Sequence, residues 1–239
     1  MRHQQIAVRS PVRFDSPADL RPMPFGAARP GTIENAVAEP LWGGIRVLVH
    51  VSEGSVVVRD PDGTELAIPE PLRAGIVVAA QASELVIDGH LVPAPLRDTT
   101  GVRLGAGTDA VRTAGEMGRH FFIGGLARRP DRVVEAEAAA AAASNPLDGP
   151  VAFIAVDLLW LDGEPLLDIP LLERKRLLES VLMDGELVRR TVSVRPPVER
   201  WHAQWSALGF REMAVKGANS RYTPGQPNPE WAISPIRRR

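Results

Sequence analysis

The sequence predicts an α+β fold in which strands dominate and helices intervene at irregular intervals. Three observations lead there. Residues 45–51 alternate between two faces, and a tight turn leads from them into the apolar Val56-Val57-Val58, the pattern of a β-hairpin. Val151–Leu161 (VAFIAVDLLWL) is apolar almost throughout, long enough for a central strand. Two stretches with helical spacing follow, at 171–182 and 199–208, without the regular strand–helix alternation of a parallel α/β fold.

Taken in order, the first forty residues are rich in proline. Ser10-Pro11, Ser16-Pro17, Arg21-Pro22, Met23-Pro24 and Arg29-Pro30 each bias the residue before proline away from helix. The region reads as an extended arm with a short helical turn, the arm proper being 1–20 and the folded domain 21–239. In the hairpin, Ile45, Val47, Val49 and Val51 share one face and Arg46, Leu48 and His50 the other; Ser52-Glu53-Gly54 makes the turn. Asp60-Pro61-Asp62-Gly63 is a further turn signal. Short apolar runs follow at 76–80 and 85–87. The glycine-rich stretch 99–118 reads as a surface loop, and the alanines at 138–143 as part of a plain helix over 132–144, ended by Asn145-Pro146. Pro170 opens a helix with Leu171, Leu178 and Leu182 inward and Glu173, Lys175 and Arg176 outward. Gly209 stands where the 199–208 helix needs a C-cap, and Trp201 and Trp205 on it read as core. Strands at 213–215 and 231–233 complete the chain.

Composition narrows the function classes. The 239 residues are 44% hydrophobic, enough for a sizeable core. No apolar run approaches the roughly 20 residues that cross a bilayer, and the N-terminus lacks a secretory apolar segment, so a cytoplasmic location without membrane contact is expected. The absence of cysteine excludes disulfides, thiol nucleophiles and thiolate-bound zinc. The five histidines are dispersed, and no metal site is read from them. Lys+Arg number 28 against 29 Asp+Glu, which argues against a strongly basic nucleic-acid coat. Lys175 and Lys216 are the only lysines, so 26 of the 28 basic side chains are arginine. A GC-rich coding bias accounts for lysine drifting to arginine. It does not account for lysine becoming an apolar residue.

Glu39-Pro40-Leu41-Trp42-Gly43-Gly44-Ile45-Arg46 resembles the active-site motif of ATP-dependent DNA ligases, which reads Glu-Pro-Lys-Trp-Asp-Gly-Ile-Arg. Arg21-Pro22-Met23 resembles the segment that precedes that motif. Val86-Ile87-Asp88-Gly89-His90-Leu91 is similar to the family's Leu-Asp-Gly-Glu-Leu, and Val156-Asp157-Leu158-Leu159-Trp160-Leu161-Asp162-Gly163 to its Phe-Asp-Leu-Leu-Tyr-Leu-Asp-Gly. Pro170-Leu171-Leu172-Glu173-Arg174 and Ser220-Arg221-Tyr222-Thr223-Pro224-Gly225 match later segments. The order and spacing hold from about residue 21 to 231. The resemblance implies the nucleotidyltransferase (adenylation) domain: two packed, mainly antiparallel sheets, flanking helices and a nucleotide cleft. It implies ATP and Mg2+ as cofactors, nicked or double-stranded DNA as partner, and a role in DNA repair and recombination. In the family a lysine attacks the α-phosphate of ATP, and the AMP then passes to a 5′-phosphate at a nick. Active members continue into an OB-fold; this chain, ending at Arg239, is expected to lack one, which a protein partner would have to supply.

The resemblance also shows what this copy has changed. The nucleophile position is Leu41, which has no lone pair to offer, so no catalytic residue is assigned. The motif aspartate is Gly43, the glutamate after Asp88-Gly89 is His90, and the adenine-stacking aromatic is Val156. The metal-supporting glutamate aligns with Arg211, and two late lysines align with Ile233 and Pro235. Loss of the groups that neutralise phosphate and hold magnesium removes the electrostatic part of phosphoryl transfer. Glu39, Gly44, Arg46, Arg59 and Lys216 are the candidate nucleotide-binding residues that remain. Glu39 beside a proline also reads as a loop charge, and Arg46 as a solvated face or an ion-pair partner. The expectation is an adenylation domain without covalent activity. Two alternatives stand beside it: a ligase using Lys216 as a relocated nucleophile, and an interaction protein without ligand.

Overall fold

The computed structural model describes residues 16–94, 96 and 149–237. The arm at 1–15, the loop expected at 99–118 and the helix expected at 132–144 lie outside the described residues. The strands are β1 (Ala36–Pro40), β2 (Ile45–Ser52), β3 (Ser55–Arg59), β4 (Glu65–Leu66), β5 (Glu84–Pro93), β6 (Val151–Leu161), β7 (Glu164–Pro165), β8 (Val188–Arg190), β9 (Glu212–Gly217) and β10 (Trp231–Pro235). The helices are α1 (Glu70–Ala79), α2 (Leu171–Val181) and α3 (Glu199–Ala207). The larger sheet runs β4-β3-β2-β5-β6-β7 with β8 parallel to β6, and the smaller runs β1-β9-β10, antiparallel throughout. This is the α+β, two-sheet arrangement that the resemblance implies.

The alternation of β2 sorts its side chains as expected. Val47, Val49 and Val51 enter a core shared with Leu72 and Ile76 of α1 and Leu178 of α2, while Leu48 enters a second core with Met23, Tyr222 and Trp231. A third core joins the small sheet to α3 through Ala38, Met213, Val215 and Trp205. The 76–80 run is the second half of α1, whose start is set by Pro69 as N-cap and a proline in the first turn. β1 lies within the proline-rich region read as extended arm, and Glu39 and Pro40 hide its alternation.

Two irregularities in β6 position the cleft. Its pairing with β5 shifts between Val86 and Ile87 and again between Asp88 and Gly89, so that Leu159 and Val156 have no partner in the ladder. Each extra residue reverses the side from which the next side chain emerges. Gly89 is required here, because a Cβ would lie 2.2 Å from the Ile154 carbonyl oxygen. The register places Asp88 opposite Asp157, both fully buried. Two carboxylates facing each other repel, and each is neutralised by its own arginine. Asp157 receives Nε and Nη2 of Arg174 at 2.9 and 2.7 Å, with both side chains 0% exposed. Asp88 receives Nε and Nη2 of Arg46 at 3.1 and 2.7 Å.

Removing one member of a buried pair leaves the other charge uncompensated, at a cost of about 3–5 kcal/mol. Arg174→Met is therefore expected to lose that much in urea unfolding. The double variant Arg174→Met/Asp157→Leu should recover most of the loss, because an apolar pair of similar volume leaves no charge behind.

Candidate active site

The cleft lies where the inner face of the small sheet meets the start of β2 and the middle of β5 and β6. On β1 and β9, Glu39 pairs with Ala214 and Val37 with Lys216, while Lys216 also faces Trp231 on β10. Period-two alternation therefore sends Glu39, Ala214, Lys216 and Trp231 to one face, opposite the face that packs on α3. Leu41, Trp42, Arg46, His90 and Val156 supply the other side of a narrow cleft that opens to solvent.

Glu39 is 1% exposed and organises the floor. Its Oε2 receives Lys216 Nζ at 2.9 Å, and its Oε1 receives Lys175 Nζ at 2.5 Å and Ser193 Oγ at 2.8 Å. Lys175 Nζ also donates to the Val156 carbonyl at 2.9 Å, and Lys216 Nζ stands 4.2 Å over the Trp231 ring. Burial alone would raise the Glu39 pKa, but the two ammoniums overcome it and hold the group at about 2. Burial lowers Lys216 from the usual lysine range, with Glu39 resisting.

The second polar cluster is Asp88 with Arg46 and Tyr222, whose hydroxyl donates to Asp88 Oδ2 at 2.7 Å and accepts from Met23 N–H at 2.8 Å. Burial pushes Asp88 up, yet Arg46 and Tyr222 hold it below the ordinary carboxylate value. His90, beside them, has Nδ1 buried with no hydrogen-bond partner, and burial lowers its pKa to about 4. It is a neutral imidazole near pH 7.

Of the residues read from the sequence, Glu39, Leu41, Arg46 and Lys216 converge on the cleft. Two side chains differ from expectation. Glu39 is a buried strand residue and not a loop charge. Lys175 is 7% exposed and paired to Glu39, not on the outer face of α2. The physical reason is that the N-terminal part of α2 is covered on its polar side as well: the Leu171 and Leu172 N–H groups donate to the carbonyls of Ser220 and Ala218. Arg46 is an ion-pair partner whose side chain remains 20% exposed. Gly44 serves the backbone, at φ +85° with the Leu91 carbonyl 2.0 Å from where a Cβ would sit. Arg59 ends β3 opposite Leu48 and does not line the cleft. Sequence reasoning missed Ser193, Tyr222 and Lys175. The rarity of lysine, already used for Lys216, was the signal available for Lys175.

Magnesium, which the resemblance implies, does not fit the carboxylates at hand. Every carboxylate oxygen of Glu39, Asp88 and Asp157 already accepts from a side-chain or backbone donor. Among the described residues, no three His, Asp or Glu side chains gather as a metal site. No described helix is long and apolar enough to cross a membrane.

No protein-family model matches the chain. It is 27% identical over 220 residues to a probable DNA ligase of Streptomyces coelicolor, covering 86% of this chain and 36% of that protein. A probable DNA ligase of Streptomyces griseus is 30% identical over 84% of this chain and 36% of its own length. A DNA ligase of Methanothrix thermoacetophila is 28% identical over 90% of this chain and again 36% of its length. The chain thus spans about a third of these curated relatives. Among solved structures, the ligase domain of M. tuberculosis LigD aligns with a TM-score of 0.59 at 22% identity, over 92% of this chain and 60% of that one. A mycobacterial DNA ligase D complexed with ATP and MES aligns at 0.58, also at 22% identity, over 91% and 60%. These two likenesses are of fold.

The depressed pKa values set the acid response. His50, buried near Arg59 and Arg21, is lowered to about 4 like His90. In both, and in Glu39, the folded pKa lies below the unfolded one, so the unfolded chain binds the extra proton and stability falls as pH falls. The histidine share is lost between 6.5 and about 4, and the Glu39 share between 4.5 and about 2. Urea unfolding across pH should show both declines, and His50→Gln/His90→Gln should flatten the upper one.

Proposed function

From a chain that resembles the adenylation domain of ATP-dependent DNA ligases, we propose a ligase-like domain that no longer forms an enzyme–AMP adduct. Its cleft binds a nucleotide or the end of a nicked duplex, in the cytoplasm, in the service of DNA repair. The observation that carries this reading is the environment of Leu41. A lysine nucleophile must be neutral and free to approach phosphorus. Here the motif position carries an alkyl chain, and both lysines of the protein are bound to one buried glutamate. The changes to Gly43, His90, Arg211, Ile233 and Pro235 point the same way. Arg211 and Pro235 are exposed, and Ile233 is 42% exposed, so the late part of the motif offers the solvent an alkyl group where the family has a cation.

A second reading, nick sealing through Lys216, draws on its place in the cleft and its lowered pKa. Against it stands the 2.9 Å contact with Glu39, which favours the protonated form of the amine. The nucleophile would have to leave that carboxylate before each attack.

Intact-mass spectrometry of the protein, as isolated and after ATP with magnesium, separates the two. No AMP increment is expected in either sample. An increment overturns the first reading, and its loss in Lys216→Ala would assign the adduct to that residue. If nick sealing occurs and survives Lys216→Ala, the second reading fails too.

A further inference from the structure

The edges of the two sheets are closed in different ways, and one stretch stays open. β4 and β7 are two residues long and carry Glu65 and Glu164, the short, charged form that discourages further pairing. β8 is capped: the Val188 carbonyl accepts from Gly185 N–H at 2.7 Å, and Arg190 N–H donates to Asp184 Oδ1 at 2.9 Å. On β1, Ala38 exchanges both backbone bonds with Val194, at 2.8 and 2.9 Å.

β10 is the remaining edge. Ile236 N–H donates to the Arg211 carbonyl at 2.8 Å, so in the register of β10 with β9 the even-numbered residues of β10 bond to β9. Trp231, Ile233 and Pro235 therefore turn their backbone groups outward. At Trp231 both are taken: its carbonyl accepts from Gly26 N–H at 2.9 Å, and its N–H donates to the Asn228 carbonyl at 3.1 Å. Past Gly26 the edge has no backbone partner among the described residues. Ile233 offers one N–H and one C=O, and Pro235 one C=O. The Ile233 side chain is 42% exposed, and Pro235 is exposed beside it. The resemblance places a lysine at each of these positions, and lysine blunts an edge. Isoleucine favours pairing.

A second copy does not fit there. An antiparallel two-fold pair centred on Ile233 would set Pro235 of each copy beside Trp231 of the other, in the place that Gly26 holds. A short extended segment of a different chain does fit, ending at Gly26 and running out past Pro235. Arg211 and Arg237 are exposed at that outer end, with Glu212 opposite Pro235. Two cations against one carboxylate favour an acidic segment.

We propose that the open edge of β10 at Ile233 docks an extended, acidic segment of a partner protein. The segment adds a fourth strand to the small sheet, antiparallel to β10 like the pairings already there. An apolar residue lies opposite Ile233, and carboxylates precede it, toward Arg211 and Arg237. Backbone hydrogen bonds to both groups of Ile233 and to the Pro235 carbonyl give affinity, and the flanking side chains give selectivity. The proposal does not depend on what the cleft binds.

Fluorescence anisotropy of the whole chain with a labelled acetyl-Asp-Asp-Thr-Thr-Val-Thr peptide tests it, and saturable binding is expected. N-methylation of the peptide's valine removes a ladder donor and should weaken binding at least about fivefold, the order of one hydrogen bond. Asparagine in place of both aspartates should weaken it about threefold, the order of an exposed ion pair. Ile233→Pro removes an outward N–H and no bond to β9, so Tm should hold while binding falls at least about fivefold. Ile233→Thr keeps both backbone groups and should bind more tightly than Ile233→Pro. No binding at about 1 mM peptide, an affinity too weak for a specific contact, overturns the proposal. Equal binding of the N-methylated or the asparagine peptide overturns it as well, and these two comparisons decide even if Ile233→Pro fails to fold. A dimer in analytical ultracentrifugation that Ile233→Thr weakens would assign the edge to a second copy and overturn it too.

Discussion

The two ammonium groups on Glu39 are the constraint on which the small sheet, α2 and the cleft all depend. Glu39 sits on β1, Lys216 on β9 and Lys175 on α2, so one carboxylate ties both neighbouring strands of the small sheet to a helix that also packs on the large one. The arrangement also explains which lysines persist. Arginine is the basic residue almost everywhere else in this chain, but a guanidinium is a planar fork that prefers to occupy both oxygens of a carboxylate. Two forks, each bidentate, would compete for the same two oxygens of Glu39. Two compact ammoniums take one oxygen each, and the second also rests on the Trp231 face.

The same logic governs the other buried charges. Asp88 and Asp157 stand opposite each other because β5 and β6 pair in that register, and each needs a bidentate arginine approaching from its own side. Arg46 comes along β2 and Arg174 from α2, with Tyr222 joining the two: its hydroxyl bonds Asp88, and its ring lies 5.6 Å beneath the Arg174 guanidinium. The polar residues that the ligase motifs preserve are in large part this scaffold. Removing one of them would strand a buried charge.

Much of the fold was legible from local pattern. The hairpin of β2 and β3, the long β6, and the helices α2 and α3 each carry a full period of apolar spacing with a turn or cap at the end. The resemblance supplied the pairing of these pieces into two sheets. Less legible were elements whose residues serve a contact distant in sequence. β1 has Glu39 at a buried position and closes on a proline, so its alternation is broken by the residue that matters most. Lys175 follows helical spacing outward, but the surface it reaches belongs to another sheet. The bulges at Leu159 and Val156 leave no mark in composition, since each substitutes one apolar residue for another on a strand buried on both faces.

These features bear on what the cleft could regain. Gly43 has nothing within 4 Å of the position a Cβ would take, so an aspartate there meets open space. Leu41 is different. A lysine at that position would bring a third amine beside the two that already share Glu39, whose oxygens are taken. Its amine would be driven toward the neutral form, which nucleophilic attack requires, yet Arg211 would supply no magnesium ligand, and Ile233 and Pro235 no cation for the departing pyrophosphate. The proposed loss of covalent activity thus involves the nucleophile position and the phosphate-handling positions together, while the buried ion pairs that hold the two sheets to α2 stay in place.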